Sequence, residues 1–166
     1  MIKETPLLKS IAIQTIIFFC IFQFTSFIRE TNMLARDTAI TEMITLPSLV
    51  HGPIDVSANQ KPLVLYFFAP WCQVCHASIS NLQAIYEKHE NLDVIAVALD
   101  FEAVDEVEQF TQQHQLTFPI VLGDNKIKTD FQVPGYPSYY VLNEQNIIIS
   151  KSMGYSTELG IYLRSL

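Results

Sequence analysis

The stretch that decides the fold is LVLYFFAPWCQVCH, residues 63–76. Leu63 to Ala69 are largely apolar and of strand length, and they read as a buried strand. Pro70 and Trp71 interrupt the run. Cys72 and Cys75 come next, at what reads as the first turn of a helix. Backbone N–H groups at a helix start lack partners and carry partial positive charge, so they favour a thiolate over a thiol. Residues three apart are neighbours on a helix, so the second thiol can close a disulfide with the first. A dithiol that opens and closes is a redox device.

Working outward toward the C-terminus, Cys75, Ile79, Leu82 and Tyr86 form one apolar stripe of helical period. Cys75 falls on that stripe and Cys72 at the exposed end, which proposes an attacking Cys72 and a resolving Cys75. Leu92 to Leu99 predicts a second buried strand, and Asp100 is placed to cap the helix after it. Val104, Val107 and Phe110 space that second amphipathic helix over 103–115. The run of acids from Glu102 to Glu108 reads as its solvated face. Phe118 to Leu122 predicts a third short strand, Gly123 to Asn125 a turn, and Lys126 to Phe131 a short helix. Tyr139 to Leu142 and Ile147 to Ser150 predict a hairpin across Asn143 to Asn146, and 157–166 a closing helix. The order β-α-β-α-β, turn, β-β-α puts parallel crossover units first and an antiparallel hairpin last. Upstream, turn residues around Leu49-Val50 and Ile54 to Val56 suit a small hairpin within 47–62.

The whole chain of 166 residues has the length of one domain with an appendage. It carries 17 acids against 10 bases, and an acidic chain without a basic stripe argues against nucleic acid as a partner. Its three cysteines, Cys20, Cys72 and Cys75, are one reactive pair plus an isolated residue rather than an even disulfide framework. Leu7 to Ile28 is a largely apolar 22-residue run whose one charge is Lys9. As a helix it would extend about 33 Å, enough for a bilayer core. Lys3 before it and Lys9 near its entrance favour a cytoplasmic N-terminus. A cleaved secretory signal is the competing reading, against which the run is long and lacks a small-x-small site after it. Cys20 then lies inside the span as an apolar residue. Either reading puts the remainder outside the cytoplasm. The expected organisation is an N-terminal anchor or signal over 1–30, a tether over 31–46, and a globular domain over 47–166.

Taken together, the strand–Trp71-Cys72-x-x-Cys75–helix unit, the later proline before the terminal hairpin and the β-α order resemble the thioredoxin superfamily. The N-terminal span, the extra helix between Asp100 and Phe118, and Val133-x-Gly135-x-Pro137 resemble its membrane-anchored, periplasmic TlpA-like branch. The chain is also similar to the short, anchored copper-sensitivity suppressor (ScsD-like) group. The resemblance implies a thioredoxin-like α/β fold, a central mixed sheet flanked by helices. It implies a thiol–disulfide oxidoreductase that needs no cofactor beyond a Cys72–Cys75 redox disulfide. Cys72 would be the nucleophile and Cys75 the resolving thiol. Pro137 would be the cis-proline, with Pro134 the other candidate. Tyr136 and Trp71 would help position substrate, although the Trp71 ring reads equally well as packed. The implied setting is a bacterial inner membrane, single-pass, with the domain in the periplasm. Implied partners are a periplasmic protein substrate with cysteines and a membrane thiol–disulfide electron donor or acceptor. Reduction of the client is the favoured direction.

Two positions depart from the family pattern. Thioredoxins carry a buried carboxylate six residues before the first cysteine, where this chain has Tyr66. Cytochrome-maturation members carry a Glu three residues after the second cysteine, where this chain has Ser78. Rival readings of the motif remain. Cys72 to His76 spells C-x-x-C-H, the c-type haem attachment pattern with His76 as axial ligand. The buried strand and the proline-led hairpin argue against it. Zinc would want a fourth ligand, and His51, His89 and His114 lack motif spacing. A Cu(I) carrier through the two thiolates needs fewer ligands. Otherwise His76 reads as a solvent-facing helix residue.

Overall fold

The computed structural model describes residues 10–11, 13–21, 31–50 and 52–166. A five-stranded sheet of order β5-β4-β3-β6-β7 organises the domain. Its central strand is β3, Leu63–Phe68, with all six residues buried. Side chains alternate along a strand, and β3 therefore feeds two cores. Val64, Tyr66 and Phe68 enter one that includes Cys75, Ile79, Leu82, Phe110 and Ile161. Leu63, Leu65 and Phe67 enter the other, with Met33, Ile127, Phe131 and Tyr140. Burial on both faces explains why the strand reads as an unbroken apolar run rather than an alternation.

β4, Asp93–Ala98, runs parallel to β3, and β5, Ile120–Leu122, runs parallel to β4. β6, Ser138–Leu142, pairs antiparallel with β3 and with β7, Ile148–Met153. This is the parallel-then-antiparallel arrangement that the element order predicts. The helices are α1, Gln73–Lys88; α2, Val104–Gln113; α3, Asn125–Asp130; and α4, Glu158–Arg164. The α1 stripe runs through Cys75, Ser78, Ile79, Leu82 and Ile85. Tyr86, expected on the stripe, is instead 36% exposed, with its ring edge-on to Phe118 at 5.9 Å. Ile85 fills the last inward position because α4 and β4 close that end of the helix.

The N-terminal hairpin lies slightly earlier than predicted. β1, Thr45–Leu46, pairs with β2, Ile54–Asp55, while Ser48 bridges to Val121. Of the tether assigned from sequence over 31–46, residues 33–46 lie along the domain. Met33 is 2% exposed, and Lys151 Nζ donates to its carbonyl at 3.0 Å. Asp37 N–H donates to Ile148 O at 2.8 Å and Ile40 N–H to Asn146 O at 2.9 Å, so this segment covers the free edge of β7. The segment lacks periodicity because it pairs with an edge instead of burying a regular face. Among the described residues no helix is long and apolar enough to cross a membrane, and the predicted span over 7–28 lies in part outside them.

Candidate active site

β3 ends at Phe68, and α1 starts five residues later with Cys72 as its N-cap. The Cys72 backbone is extended, and its Sγ accepts a hydrogen bond from the Cys75 N–H at 3.2 Å. The sulfur thus occupies the place usually taken by a capping oxygen, where an anion is favoured. Capping also turns it back over the first helical turn, so Cys72 keeps only 6% exposure and is less open than the sequence predicts. Cys75, on the inward stripe, is fully buried. Burial, reinforced by hydrogen bonding with Cys72, pushes the Cys75 thiol well above its ordinary range. Both thiols are free. One sulfur therefore lies at the rim under a helix N-terminus and the other behind it, the asymmetry that attack followed by resolution requires.

Across from the dithiol, the Tyr136–Pro137 peptide bond is cis. That places the cis bond at Pro137 rather than Pro134, and Pro137 itself is buried at the start of β6. Tyr136 and Trp71 converge on one another, their rings edge-on with centroids 5.8 Å apart. Trp71 is 60% exposed, and its Nε1–H donates to the Asp100 carbonyl at 2.8 Å. Trp71 is thus both held and open to solvent.

Asp100 is the residue that sequence reasoning misplaced. It does not cap α2, whose N-cap is Ala103 with no side-chain hydrogen bond. Its carboxylate accepts from Tyr136 Oη at 2.9 Å and pairs with Lys128 Nζ. Lys128 also lies over the Tyr136 ring at 5.5 Å. Burial works against the Asp100 charge, but the Lys128 and Tyr136 hydrogen bonds outweigh it and hold the carboxyl below its ordinary value. Its backbone is left-handed, φ 49, which Asn tolerates as well. A folded-state carboxyl below its unfolded value adds stability that is present above about pH 4 and fades as pH falls through the folded value. Asp100→Asn should therefore destabilise the protein in urea at pH 7 by an amount that shrinks toward zero at pH 3. A gap independent of pH would show that the carboxylate charge contributes nothing.

His76 is half-buried, not solvent-facing. Its Nε2 lies 2.8 Å from Pro70 O, and its Nδ1 lies 2.7 Å from His114 Nε2. A carbonyl only accepts, so His76 Nε2 carries a hydrogen and Nδ1 is left for His114. Burial and the nearby His76 ring hold His114 below its ordinary value. With both ring nitrogens engaged and Cys75 sealed in the core, these residues do not fit covalent haem with His76 as axial ligand. Among the described residues no cluster of three or more His, Cys, Asp or Glu side chains could hold a metal ion. Beside the dithiol, an open groove of about 580 Å³ runs between Pro70, Trp71 and His76 on one wall and Glu106 and Phe110 of α2 on the other.

Sheet order, capping dithiol and cis-proline together define a thioredoxin-like fold. The chain belongs to the AhpC/TSA family, whose sequence profile matches residues 39–151. It is 28% identical over 105 residues to the thioredoxin-like protein YneN of Bacillus subtilis (strain 168), a match covering 61% of each chain. It is 23% identical over 124 residues to sporulation thiol-disulfide oxidoreductase A of the same organism, covering 72% of this chain and 75% of that one. The match to thiol-disulfide oxidoreductase ResA of Bacillus thuringiensis subsp. konkukian (strain 97-27) is 28% over 111 residues and covers 64% of each chain. The chain thus spans less than two thirds of the length of YneN and of this ResA. Among solved structures, StoA from Bacillus subtilis superposes with a TM-score of 0.69 at 22% identity, covering 78% of this chain and 100% of that one.

Proposed function

We propose that this chain is a thiol–disulfide oxidoreductase acting on protein disulfides through Cys72 and Cys75. The observation that carries the reading is the capping sulfur: Cys72 Sγ sits 3.2 Å from the Cys75 N–H, with the second thiol fully buried behind it. Relatives named as thiol-disulfide oxidoreductases support it. In the reducing direction, the Cys72 thiolate attacks a client disulfide. One client sulfur stays bonded to Cys72 as a mixed disulfide, and the other leaves and takes up a proton. Cys75 then attacks Cys72 Sγ, the second client sulfur leaves as a thiol, and the Cys72–Cys75 disulfide forms. The client has gained two electrons and two protons. The reverse sequence oxidises a client dithiol.

Exposed Trp71 and Val74 flank the dithiol and offer apolar contact to a client segment. Tyr136 and Pro137 would position that segment from the other side, with the Tyr136 backbone available to an extended strand. We place the domain outside the cytoplasm as a TlpA-like protein held by the run over 7–28. Within that run, helical residues 13–21 leave Ile16, Phe18 and Phe19 more than half exposed, as lipid-facing residues would be. The partners would be an extracytoplasmic client with cysteines and a membrane thiol–disulfide carrier that resets the pair.

A glutathione redox titration of the full chain tests the reading. The expected result is a single two-electron transition of the Cys72–Cys75 pair, in the reducing half of the range of about −270 to −120 mV spanned by such motifs. Failure of the pair to form a disulfide at any poise would overturn the proposal. Strong Cu(I) binding without client turnover would instead select the carrier reading.

A further inference from the structure

Cys75 must give up its proton to resolve a mixed disulfide, yet the groups that face it are hydroxyls and a second sulfur. Tyr66 reaches it from β3, Tyr139 from β6, Tyr136 from the loop before β6, and Cys72 from the helix cap. Arg164 of α4 faces Tyr139. Two hydroxyls, Tyr66 and Ser78, are hydrogen-bonded to one another beside Cys75, and a third, Tyr139, lies next to them. Tyr66 Oη lies 3.1 Å from Ser78 Oγ, and Ser78 Oγ donates to the Cys75 carbonyl at 3.4 Å. With its own hydrogen used there, Ser78 accepts from Tyr66. Tyr66 and the Cys75 thiol also influence one another electrostatically, Cys75 raising the proton affinity of Tyr66 and Tyr66 lowering that of Cys75. The Tyr139 ring packs 4.9 Å from that of Tyr66, and its buried hydroxyl faces Ser78 without a hydrogen bond of ordinary geometry. A buried hydroxyl without a partner is costly, so Tyr139 is a donor held in reserve.

We propose that Tyr66 is a positioning residue for the resolving thiol. Its O–H turns from Ser78 Oγ to Cys75 Sγ as that sulfur becomes the attacking species, and Tyr139 O–H takes the place vacated on Ser78. The proposal rests on the oxidoreductase reading and deepens it. The step balances without an added base. The S–H bond of Cys75 breaks, the Cys72–Cys75 S–S bond forms, the bond from Cys72 to the client sulfur breaks, and that sulfur leaves carrying the proton. Tyr66 ends as it began, a neutral phenol, having donated a hydrogen bond to sulfur while charge passed through it.

The test measures glutathione release from the Cys72–glutathione mixed disulfide in the full chain, across a range of pH. Tyr66→Phe keeps the ring and removes the donor. It should slow release about tenfold, the effect of one hydrogen bond to a charged group, and move the rate profile toward higher pH. Ser78→Ala removes the competing acceptor and should leave release at the wild-type rate or faster. A Tyr66→Phe protein with the wild-type rate and profile overturns the inference. So does a Ser78→Ala protein as slow as Tyr66→Phe, which would mean that packing rather than the donor matters. Wild-type protein that neither forms nor releases the mixed disulfide would fail at an earlier point, sinking the exchange reading itself.

Discussion

Cys72→Ser is expected to abolish exchange with client disulfides, whereas Cys75→Ser should perform the first attack and stop there. The two outcomes reflect where the sulfurs lie. Cys72 holds what exposure the pair has, and its sulfur accepts from the Cys75 N–H in the first helical turn. A serine oxygen there caps the helix equally well, so the fold survives, but a hydroxyl is a far weaker nucleophile than a thiolate. The loss in rate should reach about three orders of magnitude or more. Cys75 is fully buried and raised by that burial, so it cannot substitute as the first attacker. Insulin reduction monitored by turbidity reads the loss. Mass spectrometry reads the client trapped on the Cys75→Ser protein. Residual turnover in Cys72→Ser within tenfold of wild type would reverse the assigned roles.

Phe110→Ala is expected to cost about 3–5 kcal/mol of stability, the usual range for a large ring removed from a core. Phe110 is 2% exposed, and with Val107 it makes up the buried face of α2. Its ring lies 4.7 Å from Phe68, 4.6 Å from His76 and 4.7 Å from His114. The substitution therefore opens one wall of the groove as well as a hole in the core. Urea unfolding measures the cost, and a loss below about 1 kcal/mol would mean that α2 is held by something else. The histidines provide a second readout. His114 lies below its ordinary value in the folded protein, so the unfolded chain binds that proton more readily. Its contribution to wild-type stability is therefore a loss that grows as pH falls below about 6.5. That slope should be weaker in Phe110→Ala, where the His76–His114 contact loosens.

The parts of this molecule that were legible in advance are those written in short-range patterns. The β3 run, the cysteine spacing and the α1 stripe each lie within 26 consecutive residues, 63–88, and each specifies its own environment. The one slip along α1, Tyr86 for Ile85, is a matter of helical phase. Inward positions recur at three or four residues, and only the packing of α4 and β4 decides between neighbours. The role of Asp100 was not legible, because its side-chain partners Lys128 and Tyr136 are 28 and 36 residues away. His76 and His114 meet across 38 residues, which no motif spacing encodes. Met33 and its neighbours carry no period, since an edge-covering segment is recognised only by the strand it covers.

The seam between residues 33–40 and the β7 edge also limits where the dithiol can work. Four residues, Arg29 to Asn32, separate the end of the apolar run from buried Met33. Fully stretched, they span only about 14 Å. If the run is seated in a bilayer, the catalytic body patrols a thin layer just above the lipid surface and has no long leash into open fluid. Its clients and its electron supplier would have to come to that layer, which favours proteins that are themselves membrane-bound or newly emerging from the membrane.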